Sequence, residues 1–504
     1  MLDSYAELHA LSRHIALLNA TQEQLSWDQE TYMPPAAIKL RADQLEQLAS
    51  LIHKARSSPK FFRALNQLID VASGEILDES LSEERISALR EWRRDYQQMI
   101  RLPHSFVKSL ARVTAEALPV WGEAKRHNDF SLFAPHLEAI VKLMQKKANY
   151  LGYEEHPYDA LVDLYEPGMR VSKLDPLFTR LKLSLSQLLK AIGSKPKIDE
   201  TPLHGEVSSE KEMEFGRKLL QAIGLDEAVS RLDKSEHPFC SGSHPKDIRM
   251  TTRLMPERPL SNIFAVLHEG GHGLYVMGLK EGEFGSPLGE AASLGVHESQ
   301  SRFWETFIGH SLPFWKQWYP ELQKGFPETF KKVAFNDFYR AINRVSPSLI
   351  RIESDEATYS LHVIVRYEIE KALIEGSLKV KDLPEAWNEK MRSTLGIEPT
   401  NYRDGCLQDI HWAMGGFGYF PTYTLGNIYA AELFCAFKKA HPDWEKRVSS
   451  GELGFIREFL YNTIHKYGRQ FIPEQLIERA TGSRLSEEPY LSYLQEKFTQ
   501  IYQL

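Results

Sequence analysis

The sequence has little cysteine, no long apolar run and no strong excess of one charge. Its three cysteines, Cys240, Cys406 and Cys435, are too few among 504 residues for a disulfide framework. Lysine and arginine total 61 against 68 aspartates and glutamates, so the net charge is −7, which gives no electrostatic footprint for nucleic acid. We expect a reduced, intracellular compartment and no nucleic-acid partner.

Membrane insertion and secretion are not expected either. No uninterrupted apolar run approaches the roughly 20 residues that span a bilayer. Asp3 and Glu7 stand where a signal peptide would carry lysine or arginine. The apolar share of 42% and the charged share of 26% are typical of a globular protein and exclude disorder of the whole chain. We therefore expect a cytoplasmic protein.

Helical periodicity dominates the sequence, whereas two-residue alternation is scarce. In residues 82–99, apolar side chains recur every three or four positions with charged residues between them, which is typical of an amphipathic helix. The same spacing returns in residues 2–15, 177–189 and 490–502. Residues 247–254 are the best strand candidate, and breaks are predicted at 193–205 and 278–295. The pattern predicts a mainly α fold with a minor β element.

Residues 261–279 carry the clearest chemical signal. Ser261 is the predicted N-cap of a helix, because apolar residues with helical spacing follow it. Inside this helix, His268, Glu269 and His272 form a His-Glu-x-x-His motif whose spacing places both imidazoles on one face. Glu269 is offset by about 100° around the helix, beside the predicted metal. We predict a metal site with Glu269 as the base that takes a proton from water.

Three glycines interrupt the same helix. Gly270, Gly271 and Gly273 each cost about 1 kcal/mol relative to alanine in a helix interior. Something must therefore approach the backbone closely at these positions, and we expect it to be a substrate lying along the helix. The competing interpretation, two ordinary histidines on a core helix, does not account for the glycines.

A catalytic zinc ion usually has three protein ligands, so a third ligand is needed. The extended metzincin pattern requires glycine at 275 and histidine at 278, where this chain has Tyr275 and Gly278, so that class is excluded. Glu298 lies beyond the glycine-rich break, at the start of a second predicted helix. A lone glutamate is more often an exposed acid, but here Glu298 would complete a His-His-Glu site.

Six short blocks along the chain carry a resemblance to a known family. They are His-Pro-Phe at 237–239, Asp-Ile-Arg-Met-Thr at 247–251, the metal motif at 268–272, His-Glu-Ser-Gln at 297–300, Ile-Arg-Ile-Glu-Ser-Asp at 350–355 and Gly-Cys-Leu-Gln-Asp-Ile-His-Trp at 405–412. Their order and sequence resemble the carboxypeptidase Taq family, the metallocarboxypeptidases of peptidase family M32. Residues 27–31 and 480–482 look like further family landmarks, so the resemblance covers essentially the whole chain. One departure is Ser354, where the family usually has alanine.

The resemblance implies a large helical, zincin-type fold of the neurolysin kind with a deep active-site groove. It implies one catalytic domain, residues 1–504, whose two helical lobes flank the groove, and a homodimer. The implied activity is release of single C-terminal residues from peptides that have a free carboxylate, with broad specificity. His268, His272 and Glu298 would be the ligands and Glu269 the catalytic acid/base. The implied cofactor is Zn²⁺, with Co²⁺ or another divalent ion as the alternative.

A carboxypeptidase must recognise a terminal carboxylate, which suits the planar fork of an arginine. Arg351 is our first choice for this role and Arg249 the second. An ion pair with a neighbouring aspartate is the alternative for both, and for Arg249 the pair with Asp247 is the favoured interpretation. His237 and His297 are predicted to line the groove, unless each is a hydrogen-bonded structural histidine.

The tetrahedral oxyanion of peptide hydrolysis needs a protein hydrogen-bond donor. Residues 411–423 offer His411 and Tyr423, which we predict to be catalytic. The aromatic and glycine residues between them are equally typical of a packed loop.

Two other functions remain open from the sequence. A zinc oligopeptidase that cuts internal bonds would need the same motif, and it would differ by accepting peptides whose C-terminus is blocked as an amide. A non-catalytic helical peptide-binding protein is the second alternative. Glu269 argues against it, because a site without catalysis needs no general base.

Overall fold

The computed structural model describes residues 4–255 and 257–504, most of which are helical. The α-helices of this part of the chain are α1 Ser4–Thr31, α2 Ile38–Arg56, α3 Pro59–Asn66, α4 Glu83–Arg101, α5 His104–His127, α6 Phe130–Leu151, α7 Asp159–Val162, α8 Val171–Gly193, α9 Ser209–Ile223, α10 Pro259–Met277, α11 Leu294–Arg302, α12 Leu312–Gly325, α13 Pro327–Phe330, α14 Phe335–Ile342, α15 Glu356–Glu375, α16 Leu383–Leu395, α17 Pro421–Ala440, α18 Trp444–Ser449, α19 Gly454–Thr463, α20 Pro473–Thr481 and α21 Glu488–Tyr502. A π-helical segment, Phe303–Gly309, directly follows α11. The prediction of a mainly α fold is confirmed.

The helices predicted from periodicity are present. In α4, Leu89 and Trp92 are buried while Glu84 and Arg90 are exposed, as expected of an amphipathic helix. Helices α1, α8 and α21 cover the other three predicted segments, although Leu2 of the first segment lies outside the described residues. Among the helices that the structure describes, none is long and apolar enough to cross a membrane.

A small three-stranded sheet supplies the β element. The strands are β1 Ser230–Lys234, β2 Cys240–His244 and β3 Asp247–Thr252, in the order β1-β3-β2. β1 pairs parallel to β3, and β2 pairs antiparallel to it. The predicted strand at 247–254 is confirmed with an end two residues earlier. Its apolar positions Ile248 and Met250 are buried, because this face of the sheet packs on α10.

The described chain divides into two compact units. The first unit comprises the residues up to Ile100, Asp199–Ile342 and Ala430–Arg484. The second unit comprises Arg101–Ile198, Asn343–Tyr429 and Leu485–Leu504. Each is mainly helical, and the three-stranded sheet belongs to the first. The single catalytic domain with two lobes remains a prediction.

Helix α10 carries the His-Glu-x-x-His motif in the first unit. It begins at Pro259 with Arg258 as its N-cap, so the prediction of Ser261 as the cap was wrong. Proline suits the first helical position because the N–H it lacks would have no partner in the helix there. α10 packs against α9, β2, β3, α11 and the π-helical segment.

The glycine at position 271 lets the backbones of α10 and α11 touch. A Cβ atom at Gly271 would lie 2.5 Å from the carbonyl oxygen of Gln300 and 2.7 Å from the Cα of Ser301, both in α11. Real Cβ atoms do not approach backbone so closely. At this position the expectation of a substrate is therefore wrong, because the neighbouring helix occupies the space.

Gly270 and Gly273 face side chains rather than backbone. A Cβ at Gly270 would lie 2.7 Å from Cδ1 of Ile223, and one at Gly273 would lie 3.1 Å from Cγ2 of Ile248. These glycines also serve packing inside the first unit, not access of a substrate.

We predict that Gly271→Ala destabilises the first unit, because the added methyl group must push α11 away from α10. Overpacking of this kind costs about 1–3 kcal/mol, which exceeds the roughly 1 kcal/mol that alanine gains over glycine in a helix. Thermal unfolding should show a lower midpoint for this variant, and the variant should retain metal more weakly.

Gly273→Ala is the matched control. Its nearest neighbours are side-chain atoms of Ile248, Leu225 and Met250 at 3.1–3.3 Å, which can shift. An equal loss of stability in both variants would contradict a specific role for backbone contact at Gly271.

Candidate functional site

The first unit brings the three predicted metal ligands together. His268 and His272 lie one turn apart on α10, and Glu298 reaches them from α11; the ligand atoms all lie within 4.8 Å of one another. Oε2 of Glu298 is 3.6 Å from Nε2 of His268 and 3.4 Å from Nε2 of His272. Two imidazoles and one carboxylate are a common donor set for catalytic zinc. The geometry fits one metal ion.

The remaining nitrogen of each imidazole is held by a neighbour. Nδ1 of His268 lies 2.7 Å from Oε2 of Glu305, and Nδ1 of His272 lies 2.5 Å from Nδ1 of His297. Both rings are thereby turned so that Nε2 faces Glu298. Histidine ligands of metals are typically oriented in this way by a carboxylate or another acceptor. His297, predicted to line a groove, is placed here behind a candidate ligand, and its contact with substrate stays a prediction.

Glu305 and Arg302 also belong to this site, although no role was predicted for either from the sequence. Glu305 lies in the π-helical segment, a rare geometry that is often found at functional sites. Nε of Arg302 donates to Oε1 of Glu298 at 2.8 Å, and its Nη1 donates to Oε2 of Glu305 at 3.2 Å. One guanidinium therefore fixes two carboxylates and leaves Oε2 of Glu298 directed at the histidines.

The electrostatics of the cluster favour a cation. Burial alone would lower the pKa of His268, but Glu298 and Glu305 outweigh it and raise this pKa to about 9. Burial would raise the pKa of Glu305, yet Arg302 and His268 lower it to about 2. Three carboxylates, those of Glu269, Glu298 and Glu305, raise the pKa of His268, and two of them are paired with the guanidinium of Arg302. The excess of negative charge favours a bound cation.

Glu269 lies beside the two histidines without belonging to the ligand set. Its side chain is buried, and this burial raises the pKa of its carboxyl group above the ordinary value. A buried carboxyl group with a raised pKa, next to a possible metal site, has the properties of a general base.

The second unit brings together three other predicted residues. Arg351, buried at the start of a 3₁₀ turn, donates from Nε and Nη2 to Oδ1 of Asp409 at 3.1 and 3.0 Å. Its Nη1 donates to the hydroxyl of Tyr359 at 3.1 Å, and its guanidinium carbon lies 5.0 Å from the ring centre of Tyr423. Nε2 of His411 is 3.2 Å from the hydroxyl of Tyr423. Residues from two of the sequence blocks, 350–355 and 405–412, thus meet Tyr423 in one cluster.

Arg366 completes this second cluster and was missed, because it lies outside the sequence blocks. It is fully buried, and its Nε donates to Oδ2 of Asp409 at 2.6 Å. Gln408 accepts from the backbone N–H of Arg351 at 3.0 Å and from Nη2 of Arg366 at 2.7 Å. Both guanidinium groups form ion pairs with Asp409, to which no role was assigned from the sequence.

Arg249 and His237 lie elsewhere in the first unit. Arg249 forms the alternative interaction that the sequence favoured, an ion pair with Asp247 at 2.9 Å, and it also stacks on Trp27. His237 is exposed between β1 and β2, where its carbonyl accepts a hydrogen bond from Ser235. Contact of either residue with substrate stays a prediction.

Comparison with known proteins identifies the family. The family model described as carboxypeptidase Taq (M32) metallopeptidase matches residues 7–498. The chain belongs to the carboxypeptidase Taq family. It is 40% identical to thermostable carboxypeptidase 1 of Thermus thermophilus, over 99% of each chain. It is 38% identical to carboxypeptidase 1 of Bacillus subtilis, over 99% of this chain and 98% of the relative.

The solved structures agree with the family assignment. The M32 carboxypeptidase of Deinococcus radiodurans superimposes with a TM-score of 0.96 at 32% identity, over 99% of this chain and 100% of that one. Membership makes this chain a metallocarboxypeptidase, a hydrolase of peptide bonds that uses a divalent metal. The resemblance inferred from the sequence blocks is therefore confirmed. A non-catalytic peptide-binding protein is no longer a competing interpretation.

We predict that Glu305→Gln in this carboxypeptidase weakens metal binding by about 10–100-fold, the usual effect of losing a group that orients a metal-binding histidine. Glutamine keeps the size of the side chain but removes the charge that holds Nδ1 of His268. Competition with a chelator measures the effect. Glu321→Gln, which removes a carboxylate from surface ion pairs with Lys218 and Lys324, is the control. Equal metal affinity in the two variants would contradict the orienting role.

Proposed function

We propose that this family member is a zinc-dependent carboxypeptidase that releases single residues from peptide C-termini, with His268, His272 and Glu298 as metal ligands. The observation that carries the proposal is the approach of their ligand atoms to within 4.8 Å of one another. The orientation of both imidazoles by second partners supports it. When bound, such an ion acts as a Lewis acid that activates water near neutral pH and polarises a carbonyl.

Glu269 is the proposed general base. Its raised pKa brings the carboxyl group nearer to neutral pH, where a base of this kind is most effective. The carboxylate takes a proton from the water that attacks the peptide carbonyl. It then delivers this proton to the nitrogen of the departing amino acid as the C–N bond breaks. Glu269 is a carboxylate again at the end of the cycle.

His411 and Tyr423 are the proposed donors to the oxyanion that forms after the attack. Burial lowers the pKa of His411 to about 4, so its imidazole is neutral near pH 7 and has one N–H to donate. The hydroxyl of Tyr423 lies within hydrogen-bond distance of this ring and provides a second proton. Preorganised donors of this type usually contribute more than any other single group to acyl transfer.

We predict that Glu269→Gln lowers kcat by about 10²–10⁴-fold while metal content stays at the wild-type level. Glutamine preserves the shape of the side chain but cannot accept the proton. Glu298→Ala is the contrasting variant, since it should lose metal during dialysis against a chelator. If Glu269→Gln kept a tenth of wild-type turnover, another residue would be the base. If Glu298→Ala kept its metal, another residue would be the third ligand.

Arg351 is the proposed receptor for the terminal carboxylate of the substrate. Arg351 and Arg366 share the carboxylate of Asp409, so their immediate cluster has more positive than negative charge. An arginine has five N–H donors, and among the described residues the bonds of Arg351 to Asp409 and Tyr359 use three of them. A substrate carboxylate would satisfy the other donors and neutralise the surplus charge.

A zinc oligopeptidase remains the alternative to test, because cutting of internal bonds needs the same metal and the same base. The two functions differ in whether the substrate must have a free C-terminal carboxylate. An exopeptidase that binds a free carboxylate loses its substrate when the C-terminus is amidated, whereas an oligopeptidase does not.

We predict that Arg351→Ala lowers kcat/KM for peptides with a free C-terminus by roughly 10–150-fold, the equivalent of a charge-assisted bond worth ~1.5–3 kcal/mol. Metal content should not change. Arg351→Lys should recover part of the loss, because lysine keeps the charge but lacks the planar fork. The variant Arg351→Ala should also discriminate less between acid and amide substrates. A full wild-type preference in this variant, with the preference lost in Arg249→Ala, would assign the carboxylate to Arg249.

Family membership supports three further expectations without testing them. The resemblance implied a broad side-chain preference and a homodimer, and the composition of the chain predicted an intracellular location. Zinc is preferred over cobalt as the metal in the proposal because two imidazoles and a carboxylate are typical of catalytic zinc.

A further inference from the structure

The second unit contains a fully buried carboxylate that the proposed chemistry does not use. Glu370 of α15 has no exposed surface and accepts three hydrogen bonds. The hydroxyl of Tyr158 donates to its Oε2 at 2.6 Å, the indole Nε1 of Trp412 to its Oε1 at 2.8 Å, and the backbone N–H of Gly418 to its Oε2 at 3.0 Å. Burial raises the pKa of this carboxyl group to about 7, although the three donors oppose the shift.

Two of these donors belong to the segment that joins His411 to Tyr423. Trp412 directly follows His411, and Gly418 lies five residues before Tyr423. Glu370, in helix α15, is therefore hydrogen-bonded to both halves of the segment.

The segment is also tightly confined where Glu370 holds it. Gly418 has φ +88°, and a Cβ there would lie 2.6 Å from the carbonyl carbon of Leu161 in α7. The N–H of Gly416 donates to the carbonyl of His411 at 2.8 Å and closes a turn behind the imidazole. A small shift of this segment would therefore move the His411 ring relative to the Tyr423 hydroxyl.

We propose that Glu370 is a positioning residue of the hydrolytic reaction: it holds the 411–423 segment so that His411 and Tyr423 point at the reacting carbonyl. This inference rests on the proposed function, which gives those two residues their role at the oxyanion. Glu370 itself touches neither the substrate nor the reacting atoms in this account.

The chemistry of the contact explains why a carboxylate is needed. Both oxygens of Glu370 accept from N–H groups of the segment, one from Trp412 and one from Gly418. In Glu370→Gln, one of the two oxygens becomes an NH₂ group in either orientation of the amide. That NH₂ group would then face an N–H group, so one of the two bonds is lost although the side chain keeps its size.

The experiment compares kcat, KM, metal content and thermal midpoint of Glu370→Gln with those of a matched variant. Glu166→Gln is the control, because Glu166 is also fully buried in the second unit and accepts from a tyrosine hydroxyl, that of Tyr429 at 2.9 Å. We expect Glu370→Gln to lower kcat by about 10–100-fold, the scale of a misplacement of about 1 Å. KM and metal content should stay near wild type. Glu166→Gln should lower the thermal midpoint and leave kcat within about twofold, since the proposed mechanism gives Glu166 no role.

Tyr423→Phe is measured alone and together with Glu370→Gln. If Glu370 acts through the segment, the double variant should be little slower than Tyr423→Phe, because the effects of residues that act as a unit are not additive. Trp412→Phe, which removes the indole N–H together with part of the ring system, is the second variant. If Glu370→Gln does not fold, Trp412→Phe tests the positioning role in its place. We expect Trp412→Phe to lower kcat at unchanged KM as well.

Unchanged kcat in Glu370→Gln, or in Trp412→Phe if that variant has to decide, would overturn the inference. Equal losses of kcat in Glu370→Gln and Glu166→Gln would also overturn it, because the role would then be structural. If Tyr423→Phe and His411→Ala keep wild-type kcat, the proposed oxyanion role fails. If those two variants are slow but Glu370→Gln is not, the positioning role alone fails.

Discussion

The candidate metal centre depends on the close approach of α10 and α11 at Gly271. A methyl group there would overlap the backbone of Gln300, two residues after the candidate ligand Glu298. Because the two helices touch, a short glutamate side chain on one reaches both histidines of the other. The same contact places the following π-helical segment so that Glu305 reaches the back of His268. One small residue thus sets the distances on which the site's chemistry depends.

Each unit balances its buried charges in its own way. In the first, Arg302 pairs with Glu298 and Glu305 and leaves an excess of negative charge that suits a divalent cation. In the second, Asp409 pairs with Arg351 and Arg366 and leaves an excess of positive charge that suits a carboxylate. Buried charges are unfavourable unless paired. The divalent ion and the terminal carboxylate that we propose as ligands have the signs that would balance these two clusters.

The helices and the candidate metal triad could be predicted because apolar periodicity and the spacing of potential ligands can be read directly from the sequence. It could not predict partners that come from distant segments. Arg366 and Glu370 lie in a nearly fully buried helix, where the polar face that would reveal them is absent. Glu305 is visible in the sequence, but its contact with His268 depends on a π-helical turn that propensities do not reveal. The glycines of α10 were correctly read as sites of close approach, whereas the partner at Gly271 proved to be another helix.

The decisive experiment on the metal-dependent release of C-terminal residues follows the products of an N-blocked tripeptide by mass spectrometry while the enzyme's metal content is measured. We predict about one divalent ion per chain and stepwise loss of single C-terminal residues. Removal of the ion with a chelator should abolish the cleavage, and added zinc should restore it. Full turnover by the metal-free protein, or a first cut at the internal bond with the C-terminal dipeptide as product, would contradict the account.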